Sequence, residues 1–291
     1  MQNTQFNTRK SSSIFNIRVF HNWVKRDLIN QATNLLKNNH IKDIKLLDLA
    51  VGKGGDMNKW YDAGINYVVG FDINKDSLFG EGGAIKRYND FKKKVKSNVK
   101  PYYRFYDADL SLPESILKIE SKVGDTKFNI ISCQFAIHYF FQDEASLNNL
   151  LTIVSSRLQS GGIFIGTSMD GGRIRQRLLE KNADVIGNRI YKIQNKTDLT
   201  SPVPYNNTYV VSLGEETDTD HYFSDKDSTE FLVDIGELKK ACDKFGIEVI
   251  ETKGFDKWYS DYLLENRKNK LSDEEKEFSF LNFSFAFRNK L

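Results

Sequence analysis

The sequence predicts an α/β fold: a mostly parallel sheet with helices on both faces and a β-rich C-terminal insertion or edge. Three observations carry this. KLLDLA (Lys45 to Ala50) and YVVGFD (Tyr67 to Asp72) are short apolar runs of strand length. A Gly-rich segment and a helix-like stretch, Asp56 to Ala63, lie between them. The same alternation of apolar run and helical stretch then continues to about Met169.

Taken in order, residues 1–14 read as a disordered lead of Asn, Gln, Ser and Thr without periodicity. Phe15 to about Asn39 reads as helix, with Val24, Leu28, Leu35 and Leu36 near helical spacing. The first βαβ unit follows from Lys45. Lys75 to Lys94 is helical with a break at Gly80 to Gly83, and YYRFYDAD (Tyr102 to Asp109) is strand-like and ends in acids. FNIISCQF (Phe128 to Phe135) has the continuous apolar pattern of a buried strand. Glu144 to Leu158 is a helix, and GGIFIGTSM (Gly161 to Met169) a strand entered through two glycines.

Beyond Ile190 the pattern is thinner. Tyr191 to Gln194 and Thr208 to Leu213 read as strands, EETDTD (Glu215 to Asp220) as an acidic turn, Ile235 to Phe245 as helix and Ile247 to Thr252 as strand. RKNKLSDEEKE (Arg267 to Glu277) is a solvated loop or exposed helix, and Phe278 to Phe287 a final β segment. No repeat and no long linker interrupts 15–291, which is expected to be one domain.

Composition bounds the function. The 291 residues carry 42 Lys plus Arg against 39 Asp plus Glu, a formal charge of +3, so any nucleic-acid partner must meet a local basic patch. Two Cys cannot build a disulfide framework or a four-thiolate zinc site, and read as buried small hydrophobes in a reducing, intracellular setting. His21, His40, His138 and His221 lack metal-ligand spacing, so no metal is expected. No apolar run of about 18 residues exists to span a membrane.

The turn LDLAVGKGGD (Leu47 to Asp56) allows close approach of a ligand to backbone at Gly52, Gly54 and Gly55. Its spacing is neither G-x-G-x-x-G nor a phosphate loop. Asp56 would repel a pyrophosphate but suits a cationic group such as an amino acid's amine. Asp72, 24 residues after Asp48, stands where an acid accepts from a ribose diol. Asp109 can receive an adenine amine. This order of acids describes S-adenosylmethionine better than a dinucleotide. The bland reading is a packing turn with helix-capping acids.

HNWVK (His21 to Lys25), LDLAVGKGGDMNKW (Leu47 to Trp60), GFDI (Gly70 to Ile73), CQFAIHYFF (Cys133 to Phe141), GGIFIGT (Gly161 to Thr167), EFLV (Glu230 to Val233) and FAFR (Phe285 to Arg288) resemble the mRNA cap guanine-N7 methyltransferases. They stand in the family's order across roughly 15–290. The AVGKGGD variant and the Asn/Lys-rich style look more like the capping enzymes of large DNA viruses, where such a domain is often part of a longer polypeptide. No guanylyltransferase K-x-D-G motif is present.

The resemblance implies a Rossmann-like S-adenosylmethionine-dependent methyltransferase fold and capped RNA as partner. It implies a place in a larger capping enzyme or complex, and a cytoplasmic site if viral, a nuclear one if cellular. By motif position, Lys25 would hold the methionine carboxylate, with Ala50, Gly52 and Asp56 along the methionine and sulfonium end. Asp72 would hold the ribose, Asp109 the adenine, and Gln134 and Tyr139 would close the pocket. His21, Asn22, Lys53, Lys59 and Arg87 match positions near the triphosphate or guanosine; His138 and Glu230 match residues facing the guanine. Two positions depart from the family pattern. Ala50 stands where Gly is usual, which a backbone contact tolerates only at negative φ. A cap-contacting Tyr aligns with Asn282.

Guanine N7 offers a lone pair and no proton, so its methylation needs no general base. Placement alone can be worth about 7–11 kcal/mol. Glu230 would accept from guanine N1–H and the N2 amine, and Tyr139 would stack the purine. Each has a plainer reading: His138 as a core histidine, Glu230 as an exposed acid, Lys53 as a helix-start charge, Lys59 and Arg87 as a solvated face. Two other functions remain open at this point. One is a methyltransferase of the same fold acting on a small molecule or protein; the other is a silent RNA-binding subunit.

Overall fold

The computed structural model describes residues 12–96, 100–200, 203–215, 227–266 and 268–290. The expected lead lies outside the described residues as far as residue 11, as do 216–220 of the acidic turn. Order begins before Phe15, because Ile14 is fully buried and Ser12 nearly so.

The elements run α1 (Phe15–Asn38), β1 (Lys45–Leu49), α2 (Met57–Asp62), β2 (Tyr67–Asp72), α3 (Lys75–Phe79), α4 (Ala84–Lys94), β3 (Tyr102–Asp107) and α5 (Glu114–Val123). Next come β4 (Phe128–Gln134), a 3₁₀ turn (Ile137–Gln142), α6 (Glu144–Arg157), β5 (Leu158–Met169), α7 (Gly171–Lys181), β6 (Val185–Gly187), β7 (Tyr191–Asn195) and β8 (Thr208–Leu213). The last are β9 (Asp227–Phe231), α8 (Ile235–Lys244), β10 (Ile247–Gly254), α9 (Phe255–Glu265), α10 (Asp273–Ser279) and β11 (Asn282–Asn289).

These elements form two compact units. The larger comprises Lys25–Ser168, Gly236–Thr252 and Ser284–Leu291. It carries a seven-stranded sheet of order β10-β11-β5-β4-β1-β2-β3. β1 pairs parallel with both β2 and β4, β2 with β3, and β4 with β5. The chain winds outward in both directions from β1 and β4, so a crevice forms beyond their carboxyl ends. The strands are apolar on both faces because helices cover both. Leu47 sits opposite Val69 on one side and Ile131 on the other, all at most 1% exposed. Each such side chain contributes roughly 1.5–3 kcal/mol by leaving water.

The smaller unit comprises 12–24, Met169–Ile235 and Lys253–Phe283 in its described parts. Its four strands are antiparallel, in the order β6-β7-β8-β9. Alternation along β8 buries Tyr209, Val211 and Leu213. Phe20 meets Phe255, Tyr259 and Tyr262 edge-on at 5.1–5.7 Å, which seats the start of α1 against α9.

The sequence reading needs correction at several places. β3 ends at Asp107, not Asp109. The final strand starts at Asn282, and Phe278 belongs to α10, where a capping box between Ser272 and Glu275 starts a helix that the run of Phe residues concealed. Helices α5, α7 and α9 were not predicted, although α9 buries Phe255, Trp258, Tyr259 and Tyr262 at helical spacing. α7 is started by Asp170, whose carboxylate accepts from the Gly172 and Arg173 amides. Among the described residues no helix is long and apolar enough to cross a membrane.

Candidate active site

The Gly-rich turn is tied to the neighbouring strand by backbone alone. The amides of Ala50 and Val51 both donate to the Phe71 carbonyl, at 2.8 and 3.0 Å. This holds Ala50 at φ +74°, a conformation that favours glycine, so the condition of negative φ is not met at this position. Gly52 follows at φ +53°, where an added Cβ would meet nothing within 4 Å: its backbone faces open space. At Gly54, φ +67°, a Cβ would overlap Met57, so this glycine serves packing.

Asp72 closes the tip of β2. One carboxylate oxygen accepts from the Gly52 amide at 2.6 Å and the other from the Asn74 amide at 2.8 Å. Each oxygen keeps a lone pair for a further donor. Burial raises the carboxyl's pKa, against the pull of those two amides. The turn and the acid thus form one rigid unit.

Behind the turn lies a buried charge cluster. Asp56 Oδ1 lies 2.9 Å from Lys25 Nζ and 2.7 Å from Lys59 Nζ. Burial alone would raise the Asp56 pKa, but the two ammonium groups outweigh it and hold the carboxyl well below the usual range. Lys59 is 5% exposed, so it is neither a solvated helix charge nor open to a phosphate; burial lowers its pKa. Asp48, in β1 opposite Ser132 of β4, is 3% exposed. Burial, with Asp56 nearby, pushes its carboxyl well above the usual range. The sequence showed Asp48 as an acid between two leucines of a buried strand; that signal could have marked it.

At the third strand tip, Lys118 of α5 holds Asp107 at 2.8 Å. Asp109 folds onto Ser111, accepting from its amide at 3.0 Å and its hydroxyl at 2.6 Å. A cavity of about 400 Å³ opens here, lined by Ile73, Asp107, Asp109, Leu112, Ser115 and Lys118 among others. Ile73 is 64% exposed, an apolar surface beside this cavity. Lys53 and Arg87 are both exposed, and Arg87 donates to the Lys53 carbonyl at 3.0 Å, which brings two cations to the rim of the turn.

Past β4, the Gln134 amide is held by Thr167, whose hydroxyl donates to its oxygen at 3.0 Å. His138 is buried, and its ring centroid lies 4.1 Å from that of Tyr139, which is 49% exposed. Lys25, Ala50, Gly52, Asp56, Asp72, Asp109, Gln134 and Tyr139 thus all belong to the larger unit, on its carboxyl-edge segments or on α1.

The remaining expected substrate contacts fall in the smaller unit. Glu230 on β9 is 4% exposed, not the exposed acid of the plainer reading. It accepts from the Tyr209 hydroxyl at 2.6 Å, its cross-strand neighbour on β8, a partner the sequence did not disclose. His21 is 2% exposed, with Nε2 3.1 Å from Ser279 Oγ and Phe255 5.0 Å away. Asn22 is exposed and donates to the Arg18 carbonyl. Asn282 is buried and donates to the carbonyls of Phe278 and Ser279, closing the end of α10. His21 and Asn282 are thus both buried and bonded within this unit.

Comparison with known proteins fits this arrangement. The family model for the mRNA (guanine-N(7))-methyltransferase domain matches residues 1–286. The chain belongs to this family. The mRNA cap guanine-N(7) methyltransferase of Drosophila melanogaster is 31% identical over 266 residues, 89% of this chain and 59% of that protein. The protein of that name from Caenorhabditis elegans is 38% identical, over 64% of this chain and 47% of its own length. The chain thus spans about half the length of these relatives. A probable mRNA-capping enzyme of Acanthamoeba polyphaga mimivirus is 30% identical over 93% of this chain and 25% of its own length. Animal, plant and viral proteins match alike, so the expected viral character finds no support.

The fold is that of the Rossmann-like methyltransferases. The CcbJ methyltransferase of Streptomyces caelestis superposes with a TM-score of 0.57 at 13% identity, covering 91% of this chain and 90% of its own. An S-adenosylmethionine-dependent methyltransferase from Clostridium acetobutylicum gives 0.55 at 14%, covering 94% and 96%.

Proposed function

We propose that this chain transfers a methyl group from S-adenosylmethionine to guanine N7 of the GpppN cap of mRNA. The observation that carries the reading is the family match over 286 of 291 residues. The residues at the strand tips fit the cofactor. Gly52 presents backbone to open space, and Asp72 keeps acceptor capacity after binding two amides. When bound, the sulfonium supplies an already activated methyl group.

The chain's own part is then orientation. Asp72 accepts from a ribose diol without moving, because the Gly52 amide fixes it. Asp109 and the nearby cavity take the adenine end. Lys25 leaves Asp56 to meet a carboxylate, while Lys59 stays behind to neutralise the acid. Asp56 acts through these lysines, since an incoming amine would compete with two ammonium groups. Gln134 and Tyr139 wall the site. On the substrate side, Glu230 is held by Tyr209 for the guanine edge, His138 and Tyr139 flank the purine, and Lys53 and Arg87 attract the triphosphate. Asn22 lies on the exposed side, whereas His21, Lys59 and Asn282 brace other groups. We place the reaction in an intracellular setting, on transcripts made by separate capping activities or by a larger enzyme.

The deciding experiment is methyl transfer from labelled cofactor to GpppN-ended RNA, free GTP and uncapped RNA. Label on capped RNA, with far less on the others, is the expected outcome. Label confined to another acceptor would overturn the substrate. Saturable cap binding with no transfer would overturn the enzyme reading.

A further inference from the structure

β3 is the last strand of the seven-stranded sheet, and it carries an aromatic and cationic face that the proposed chemistry does not use. YYRFYD alternates: Tyr103 and Phe105 are buried, Tyr102 and Arg104 are exposed, and Tyr106 is half-buried. The parallel register places Tyr67 of β2 opposite Tyr102 and Phe71 opposite Tyr106. The Tyr67 and Tyr102 rings stack, with centroids 5.2 Å apart and planes at 18°.

Each tyrosine on this face carries its own cation. The Arg104 guanidinium lies 4.4 Å from the Tyr102 centroid, Lys45 lies 5.5 Å from Tyr67, and Lys122 lies 5.5 Å from Tyr106. A core would not leave Tyr102 45% exposed. Tyr67 and Tyr102 begin their strands, so they stand at the amino edge of the sheet, roughly 16 Å along the strand from the acids at the carboxyl edge. Glu120 on α5 faces Arg157 at 3.9 Å.

We propose that this face of β3 binds single-stranded RNA, the body of the transcript beyond its capped end. That source rests on the function proposed above; the binding chemistry does not. Tyrosine rings and the Arg104 guanidinium offer planes on which any base stacks. Lys45 and Lys122 meet the phosphates. An acidic protein would use the cations alone and leave the stacked rings without purpose. Duplex RNA would hide the base faces the rings need.

The test uses the full chain and an uncapped, 5′-labelled single-stranded RNA longer than about 16 nucleotides, the upper site size of one stacking module. Anisotropy titrations at several salt concentrations compare the parent with Tyr102→Ala and Arg104→Ala, both at exposed positions. We expect about tenfold weaker binding for Tyr102→Ala. Arg104→Ala should lower the slope of log affinity against log salt by about one. Methylation of the dinucleotide GpppG should be unchanged in both, while KM for long capped RNA rises and kcat holds. Parent-like RNA affinity in both variants would overturn the proposal, as would equal affinity of the parent for duplex and single-stranded RNA. Absence of GpppG methylation by the parent would overturn the function and leave the RNA surface to stand on the titrations.

Discussion

Lys59 Nζ lies 2.7 Å from Asp56 Oδ1, one turn of chain away, and both are buried. Lys25, from a different helix, shares the same carboxylate. Two cations therefore depend on one anion directly behind the Gly-rich turn. Removing Asp56 would leave both lysines in a low-dielectric site. Asp56→Ala should destabilise the fold by about 3–5 kcal/mol, the usual cost of breaking a buried pair from one side. Lys59→Met should cost less, because Lys25 remains on the acid. Urea denaturation compares the two; equal losses would show that the cluster does not share charge as described.

The two buried acids near this turn predict opposite responses to pH. The Asp56 carboxyl is held low, so its contribution is present above the unfolded value near 4 and fades as pH falls toward the folded value. The Asp48 carboxyl is pushed up by burial. The folded state then holds a proton that the unfolded chain has lost, and stability declines as pH rises through that window. Asp48→Asn removes this penalty. Its melting temperature should exceed the parent's by about 1–3 °C near pH 7 and match it near pH 4. A gain of equal size at both pH values would count against a raised Asp48.

Ala50 occupies positive φ, at +74°. Left-handed backbone costs a non-glycine residue roughly 1–2 kcal/mol, and glycine returns part of this as chain entropy. Ala50→Gly should therefore stabilise the protein by about 0.5–1 kcal/mol, read by thermal unfolding. A destabilised variant would place the strain elsewhere.

Asp72 links turn and ribose in the proposed site. Asp72→Asn should weaken binding of S-adenosylhomocysteine about tenfold or more in a calorimetric titration, since one acceptor becomes a donor facing an amide or a hydroxyl. Unchanged affinity would refute the ribose assignment.

Glu230 and Tyr209 form the corresponding pair in the smaller unit. Glu230→Gln should slow cap methylation about tenfold or more while cofactor affinity stays near normal. Tyr209→Phe removes one hydrogen bond and leaves the acid in place, so methylation should fall by less than in Glu230→Gln. Full-rate methylation by Glu230→Gln would end its assignment to the guanine.

Much of the larger unit was readable in advance. KLLDLA, YVVGFD and FNIISCQF are apolar without alternation because their strands are covered on both faces, and their spacing announced parallel order. Asp72 was readable too, since position after a strand is a local property. The smaller unit was harder. Its strands are short, and the helical spacing of Phe255, Trp258, Tyr259 and Tyr262 in α9 and of Ile174 and Leu178 in α7 lies within otherwise polar segments.

What the sequence settled by itself was therefore the alternation of elements and the residue types at each strand tip, both set by neighbours along the chain. Only tertiary structure decided what each charge does. Lys59 is buried on Asp56; Asn282 donates to the carbonyls at the end of α10; Glu230 gained Tyr209 across a strand pair. A side chain's partner and its access to water are set by residues distant in sequence, and charge energetics follow from those two things.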